Sequence, residues 1–476
     1  MKTMYEKINN FGFKVIYVIF LIISLIILMS MIKNNIILTI ASIILLVTSV
    51  FILNKKKIKS NTKYTCYWIF AIAFALRLLA ILVLKVKPIS DFMVIFEAAE
   101  NLAKGNNTLN TSTYFLTWAY QTGMVIYQAV ILKIFKTINA LNILDCVYTS
   151  FICVYIYKIS NKTFEKINGN KIGSLLYTIY IYAITYTAVL TNQHIFSLLA
   201  LIGLYIYLSS NNKYIKIITS VILISIANIL RTESILIILS MICYEILQVK
   251  EKKDIISFFK KGIIIFGIYF IITNSASFLI KTSGINKNGL ENKDTLWKFV
   301  CGSDYTTNGG YSEKALTLKT DKEKIDFIKK NYDRPIVQNV VFMKNKISNL
   351  WTGDDYSWAF NKVSYKYIKF KNMHITVEDL INIFEKFDRL IYISILILNV
   401  VSVISSFKRK NNNKIILYLI VIANFLVYLM IEVQPRYSYF PKIIMFIIAN
   451  DGYYILKDYV AKKLKSKNYL LNKQFK

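Results

Sequence analysis

Residues 15–63 read VIYVIFLIISLIILMSMIKNNIILTIASIILLVTSVFILNKKKIKSNTK. Two apolar runs, about 15–32 and 35–53, are followed by Lys55, Lys56, Lys57, Lys59 and Lys63. Each run approaches the ~20 residues that carry an α-helix across ~30 Å of hydrocarbon. Lipid offers no water to unpaired peptide groups, so apolar runs of this length must be helical. Lysines gather on the cytoplasmic side of a membrane. Lys2, Lys7 and Lys14 therefore put the N-terminus inside, the first helix leads out and the second returns. The first block, Val15–Met31, lacks a small-residue cleavage site and is expected to be retained as a helix.

The same logic runs through the rest of the chain. A third helix, 64–84, leads out again and delivers Pro88, Ser90 and Asp91 to the outer surface. Residues 115–135 and 142–157 are both apolar, yet only one can cross, because Lys158, Lys162, Lys166 and Lys171 must follow on the inside. The stretch 115–135 carries Trp118, Gln121, Gly123, Gln128 and Lys133, and is expected to be the non-spanning one. Further helices are expected near 172–190, 194–209, 215–230, 233–248, 262–280, 390–406, 414–431 and 437–456, for about twelve crossings. The expected fold is an all-α polytopic membrane bundle with both termini cytoplasmic. Its parts are an N-terminal helix pair (1–63), a core (64–280) with a first outer loop (85–141), an extracytoplasmic segment (281–389), C-terminal helices (390–456) and a basic tail (457–476). Within the fourth part's approach, Thr376–Leu390 has a Thr cap, early acids and helical apolar spacing, which predict an amphipathic helix.

Composition excludes several function classes. The chain is 55% hydrophobic, and its net charge of +32 lies in loops between apolar blocks rather than on a nucleic-acid-binding face. Cys66, Cys146, Cys153, Cys243 and Cys301 have no CxxC spacing. Only His194 and His374 are available as imidazole ligands, so a His-based metal centre is not expected. There is no P-loop and no GxSxG. No cofactor is expected; a divalent metal is compatible without being implied. The Lys, Asn and Ile content suggests an AT-rich bacterial genome.

Three polar clusters share the outer face. Asp91 begins a short amphipathic helix in PISDFMVIFEAAENLAKG. It, or Ser90, is either the cap of that helix or a general base for an acceptor hydroxyl. Arg231 and Glu233 stand between two apolar helices in ANILRTESIL, as a local ion pair or as functional groups. Arg77, inside the third helix, carries the same two readings. The sharpest cluster is MIEVQPRYSYFP, with Glu432, Gln434, Arg436 and Tyr437 between Pro435 and Pro441. An arginine there can grip a phosphate through two parallel hydrogen bonds; the alternative is an interfacial Arg/Tyr belt. His194, in Asn192-Gln193-His194, is more simply a hydrogen-bonded helix-end residue than a catalyst.

These motifs resemble the GT-C glycosyltransferases, and among them family 39, which includes protein O-mannosyltransferases and aminoarabinose transferases. Ser90-Asp91-Phe92 with Glu97-Ala98-Ala99 through Gly105 is similar to that family's first outer loop. Leu230-Arg231-Thr232-Glu233 is similar to its Leu-Arg-Pro/Ser-Glu turn, and Glu432-x-Gln434-x-Arg436-Tyr437 with Pro441 to its late signature. Trp297–Tyr311 is more weakly similar to an outer loop of Gram-positive members. The resemblance implies transfer of a sugar, with inversion, from a polyprenyl-phosphate donor to an envelope glycan, glycolipid or protein in the plasma membrane. It implies Asp91 as base, Arg436 and Arg231 as phosphate contacts, and Glu432, Gln434, Tyr437, Glu233 and His194 in support. The chain departs from the family in having Ser90 rather than a second acid beside Asp91, and no Pro-Pro pair across Tyr114–Gln121. An O-antigen-type polymerase or ligase and a lipid-linked oligosaccharide flippase are the alternatives, the latter disfavoured by the lack of repeated halves.

Overall fold

The computed structural model describes residues 4–33, 35–55, 62–164, 171–209, 213–361, 367–370, 373–408 and 412–474. Lys2, Lys56, Lys57, Lys59 and Lys166, used above to orient the chain, lie outside them. The protein is a nearly all-helical polytopic membrane bundle. Helices α1 (Met4–Ile32), α2 (Ile36–Lys55) and α3 (Thr62–Leu84) come first. Helix α1 shows how they are seated. Phe13, Tyr17, Phe20, Ile23, Ile27 and Met31 are buried, whereas Ile8, Phe11, Val15, Val18, Ile22 and Leu25 form an exposed stripe on the other side. An apolar stripe of that length is a lipid-facing surface, not a water-facing one. Five described helices, α1 and α3 among them, are long and apolar enough to cross a membrane.

After α3, helices α4 (Ser90–Ala103), α5 (Thr113–Thr117) and α6 (Thr122–Phe135) form a separate layer. Helix α4 packs on α6 around Ile95, Ala99, Phe115, Met124 and Val125, a core distinct from that of the bundle. Gly123 lets α6 approach the later helix Tyr214–Leu230 backbone to backbone; a Cβ there would lie 1.9 Å from the Ile229 carbonyl oxygen.

The bundle continues with α7 (Ile138–Thr163), α8 (Ile172–Thr178), α9 (Ile181–Tyr186), α10 (Asn192–Leu208), α11 (Tyr214–Leu230), α12 (Ser234–Ile246) and α13 (Lys252–Thr282). Two departures from expectation stand out. The single helix expected over 172–190 is broken at Ile179 and Tyr180 into α8 and α9. The break is stabilised from outside, because the buried Asp388 carboxylate accepts the free amides of Ile181 (2.8 Å) and Tyr182 (2.6 Å) at the start of α9. Helix α13 starts ten residues before the expected 262, because Glu251 and Asp254 form a reciprocal capping box in the basic loop.

Residues 281–389 hold the short helices α14 (Trp297–Ser303), α15 (Lys314–Thr317), α16 (Asp321–Tyr332), α17 (Ile336–Trp351) and α18 (Ser357–Phe360), then a hairpin of β1 (Tyr367–Phe370) and β2 (Met373–Thr376). Their own core is small, around Val300, Cys301 and Ala315, and Trp351, Tyr356 and Phe360 are instead buried with the bundle. The amphipathic helix expected over 376–390 is there with its Thr376/Asp379 capping box, but it runs on without a break as α19 (Val377–Ser406). Helices α20 (Ile415–Met430) and α21 (Tyr439–Gln474) close the chain, and α19 and α21 pack along each other at its centre.

Candidate active site

The turn between α20 and α21 is built by Pro435, which starts a 3₁₀ turn over Pro435–Ser438. Alternate residues of Glu432-Val433-Gln434 then face one way, and their side chains bond in series. Tyr437 Oη donates to Glu432 Oε2 (3.1 Å), Gln434 Nε2 to Glu432 Oε1 (2.8 Å), and Arg436 Nε to Gln434 Oε1 (2.6 Å). The guanidinium, thus oriented, reaches Asp91 Oδ2 with Nη2 at 3.4 Å. Arg436 is only 9% exposed in its side chain, whereas Asp91 is 42% exposed. Arg436 also sits over the Trp358 ring, with Cζ 4.6 Å from the ring centre.

Asp91 does not cap its helix. The N-cap of α4 is Ile89, with no capping bond from any side chain, and Ser90 takes a left-handed φ of 50°. The carboxylate therefore points away from its own backbone and toward Arg436.

The 230s turn joins the same site. Arg231 pairs with Glu233 and donates to Asn192 Oδ1 (3.1 Å), and Tyr428 Oη donates to Glu233 (2.8 Å). Both charges are largely buried, so the pair fixes the turn. Three cations surround the Tyr437 ring: Arg231 at 5.8 Å, Lys298 at 5.5 Å and Arg436 at 5.6 Å from its centre. Lys298 was not singled out from the sequence. It lies on α14, its amine sits over Tyr120 and Tyr437, and it makes no ion pair among the described residues.

Two cavities meet at this centre. One, of about 240 Å³, is lined by Arg231, Glu233 and Asn192 and by the aliphatic Ile95, Leu236 and Val427. The other, of about 410 Å³, is lined by Trp118, Trp297, Trp358, Tyr114 and Tyr311. Asp91, Tyr120, Lys298, Arg436 and Tyr437 line both. Beside Asp91, burial and then the carboxylate's charge hold the Tyr114 phenol well above its ordinary value, so it remains a hydrogen-bond donor.

The structure thus brings Asp91, Arg231, Glu233, Glu432, Gln434, Arg436 and Tyr437 to one place. It does not bring His194, which is fully buried, with its ring nitrogens on the Tyr186 carbonyl (3.1 Å) and the Tyr439 hydroxyl (3.3 Å), and lines neither cavity. Arg77 is also remote; it hydrogen-bonds Ala73 and Thr178 carbonyls beside the α8–α9 break. Among the described residues no cluster of three or more metal-ligating side chains occurs.

The class these features define is a multi-helix membrane protein with a cluster of cationic side chains, one carboxylate facing it, and two cavities leading to it. Among solved structures, a similar one is the archaeal oligosaccharyltransferase AglB from Archaeoglobus fulgidus in complex with an inhibitory peptide and a dolichol-phosphate, with 10% identity and a TM-score of 0.45 over 86% of this chain. This chain spans about half of that one, 52% of its length. No protein-family model and no curated protein matches the chain.

Proposed function

We propose that the protein is a membrane glycosyltransferase of the GT-C kind, which moves a sugar from a polyprenyl-phosphate donor to an acceptor hydroxyl on the extracytoplasmic face. The observation that carries this is the facing of Asp91 and Arg436 where a cavity lined in part by Ile95, Leu236 and Val427 meets one lined by three tryptophans. The family-39 likeness of the motifs adds the choice of reaction, and rests on the sequence alone.

The donor phosphate takes the place on Arg436 that Asp91 occupies at rest, with Arg231 and Lys298 adding positive charge around Tyr437. The cations stabilise the phosphate as negative charge collects on it. The bond from the sugar's anomeric carbon to the phosphate oxygen breaks, and a bond to the acceptor oxygen forms on the opposite face, with inversion. The acceptor's proton passes to Asp91. In-line displacement puts the acceptor and leaving oxygens on opposite sides of the anomeric carbon. The 3.4 Å contact between Asp91 and Arg436 must therefore open when both substrates are bound.

The test is transfer of radiolabelled sugar from a polyprenyl-phosphate donor to membrane acceptors by the purified chain in nanodiscs. Transfer by the wild type, with loss in Asp91→Asn at matched folding, is expected. Full activity in Asp91→Asn would remove the base assignment, and no transfer with any donor would remove the reaction.

A further inference from the structure

Resting on the reading above, we infer that the larger cavity is the acceptor's site and that the acceptor is a carbohydrate, presenting a sugar ring to Trp118, Trp297 and Tyr311. The chain has five tryptophans, and three of them, Trp118, Trp297 and Trp358, line this one chamber. They come from separate parts of the sequence: Trp118 from the stretch after α5, Trp297 from α14 and Trp358 from α18. Lipid anchoring does not explain them, because a belt of interfacial aromatics faces outward, whereas these face a shared cavity.

Their arrangement suits a pyranose. Trp118 and Trp297 meet edge to face at 5.0 Å between centres, and Trp297 and Tyr311 follow at 5.8 Å, so ring faces and edges line one wall continuously. The face of an aromatic ring is electron-rich, and the axial C–H bonds of a sugar are weakly positive, so the two stack. The sugar's hydroxyls need donors and acceptors at the rim, and Asp91, Lys298, Gln434 and the Tyr114 and Tyr311 hydroxyls stand there. The volume of about 410 Å³ lies within the roughly 300–1,000 Å³ of small-molecule sites.

The two cavities differ in the way the two substrates differ. The smaller one sets the aliphatic Ile95, Ile235, Leu236 and Val427, together with Phe92 and Tyr428, beside Arg231, an apolar wall next to a cation that suits an isoprenoid phosphate. The larger has aromatic walls and polar rim groups, which suits a hydroxyl-rich ring. A peptide acceptor would instead use main-chain hydrogen bonds along an extended edge or groove. The walls of the larger cavity are side chains, and the α14 backbone beside it is already engaged, with the Lys298 carbonyl accepting the Glu432 amide at 2.8 Å.

Tyr311 is 50% exposed, so changing it leaves the fold intact. The experiment compares wild type, Tyr311→Leu, Tyr311→Phe and Trp118→Leu, full-length in nanodiscs. The first readout, without donor, is tryptophan-fluorescence titration with oligosaccharides released by mild acid from the native cell envelope, and separately with tryptic peptides of that envelope. The second is the KM for each substrate in the transfer assay. Expected are saturable oligosaccharide binding by the wild type, and weakening of roughly five- to tenfold in Tyr311→Leu and Trp118→Leu. Tyr311→Phe should keep most of the affinity, and the acceptor KM should rise while the donor KM and kcat stay within about twofold. Binding of peptides but not oligosaccharides overturns the inference, as does a donor KM that moves in place of the acceptor KM. If transfer is absent altogether, the glycosyltransferase reading fails, and the titration still decides whether this chamber holds sugar.

Discussion

Lys346 on α17 is fully buried and pairs with no carboxylate among the described residues, and its protonation should set the stability of the 281–389 segment. Its Nζ donates to the carbonyls of Gly302 (2.6 Å) and Leu429 (2.8 Å), which lie at the ends of α14 and α20. Gly309 leaves room for its stem; a Cβ there would come within 2.8 Å of it. The amine thus ties α17, α14 and the end of α20 together, just before the Glu432–Arg436 turn. Burial pushes its pKa down to about 7 from 10.5. The sign follows from that direction. Between pH 7 and 10.5 the unfolded chain holds the proton more tightly than the folded one, so stability rises with pH across this window and levels off below it. At ~1.4 kcal/mol per pH unit when fully developed, the gain from pH 7 to 9 is about 2 kcal/mol. A neutral amine keeps two N–H donors, enough for both carbonyls, so nothing is lost when the proton leaves. The assay is thermal unfolding in detergent, followed by tryptophan fluorescence at several pH values for wild type and Lys346→Met. Lys346→Met should be less stable at every pH if the two bonds outweigh the buried charge. Whatever its offset, it should lack the extra rise of a few degrees in Tm above pH 7. Parallel pH profiles for the two proteins would refute the argument.

Other consequences concern single contacts. Arg231→Ala leaves Glu233 charged and buried, and should cost about 3–5 kcal/mol; the Arg231→Ala, Glu233→Ala double variant should recover most of the thermal stability and none of the transfer activity. Gly302→Ala places a Cβ 2.3 Å from the Ile431 carbonyl carbon and 2.6 Å from the Met430 oxygen. It should displace the turn that carries Glu432 and Arg436, lowering kcat at least tenfold, on the order of 1.4 kcal/mol, while circular dichroism shows the helices intact. His194→Gln, which touches neither cavity, should change transfer by less than about threefold, under ~0.7 kcal/mol; a loss as large as that of Asp91→Asn would mean that His194 belongs to the site.

Much of the architecture was legible in the sequence because its main signal is local. Apolar run length locates helices, so 64–84, 194–209, 215–230 and 414–431 agree with observed helices to within a few residues at each end. The extent of α1 and α13 was not legible, since polar residues at their ends extend the helices beyond the apolar part. The α8–α9 break was hidden as well. Nothing between 172 and 190 demands it, and the Asp388 carboxylate that stabilises it lies some 200 residues away. The site divides in the same way. Glu432, Gln434 and Arg436 bond to one another within five residues, so their alternation around Pro435 is a readable signal. Lys298 and the tryptophan chamber are assembled from Trp118, Trp297 and Trp358, which only the folded chain brings together. The one hint was that Lys298 follows Trp297 at the start of Trp297–Tyr311, the stretch already noted for its weak similarity to an outer loop.

The pairing of Asp91 with Arg436 makes two opposite demands on one substitution, and measuring both is the most direct test of the proposed mechanism. Asp91→Asn removes the anion that competes for Arg436, so a polyprenyl phosphate should bind this variant at least as tightly as it binds the wild type. The same variant lacks the base, so single-turnover sugar transfer should fall by about 10²–10⁴-fold. Tight donor binding with transfer abolished is the predicted result. Transfer at the wild-type rate, or donor binding lost together with transfer, would contradict it.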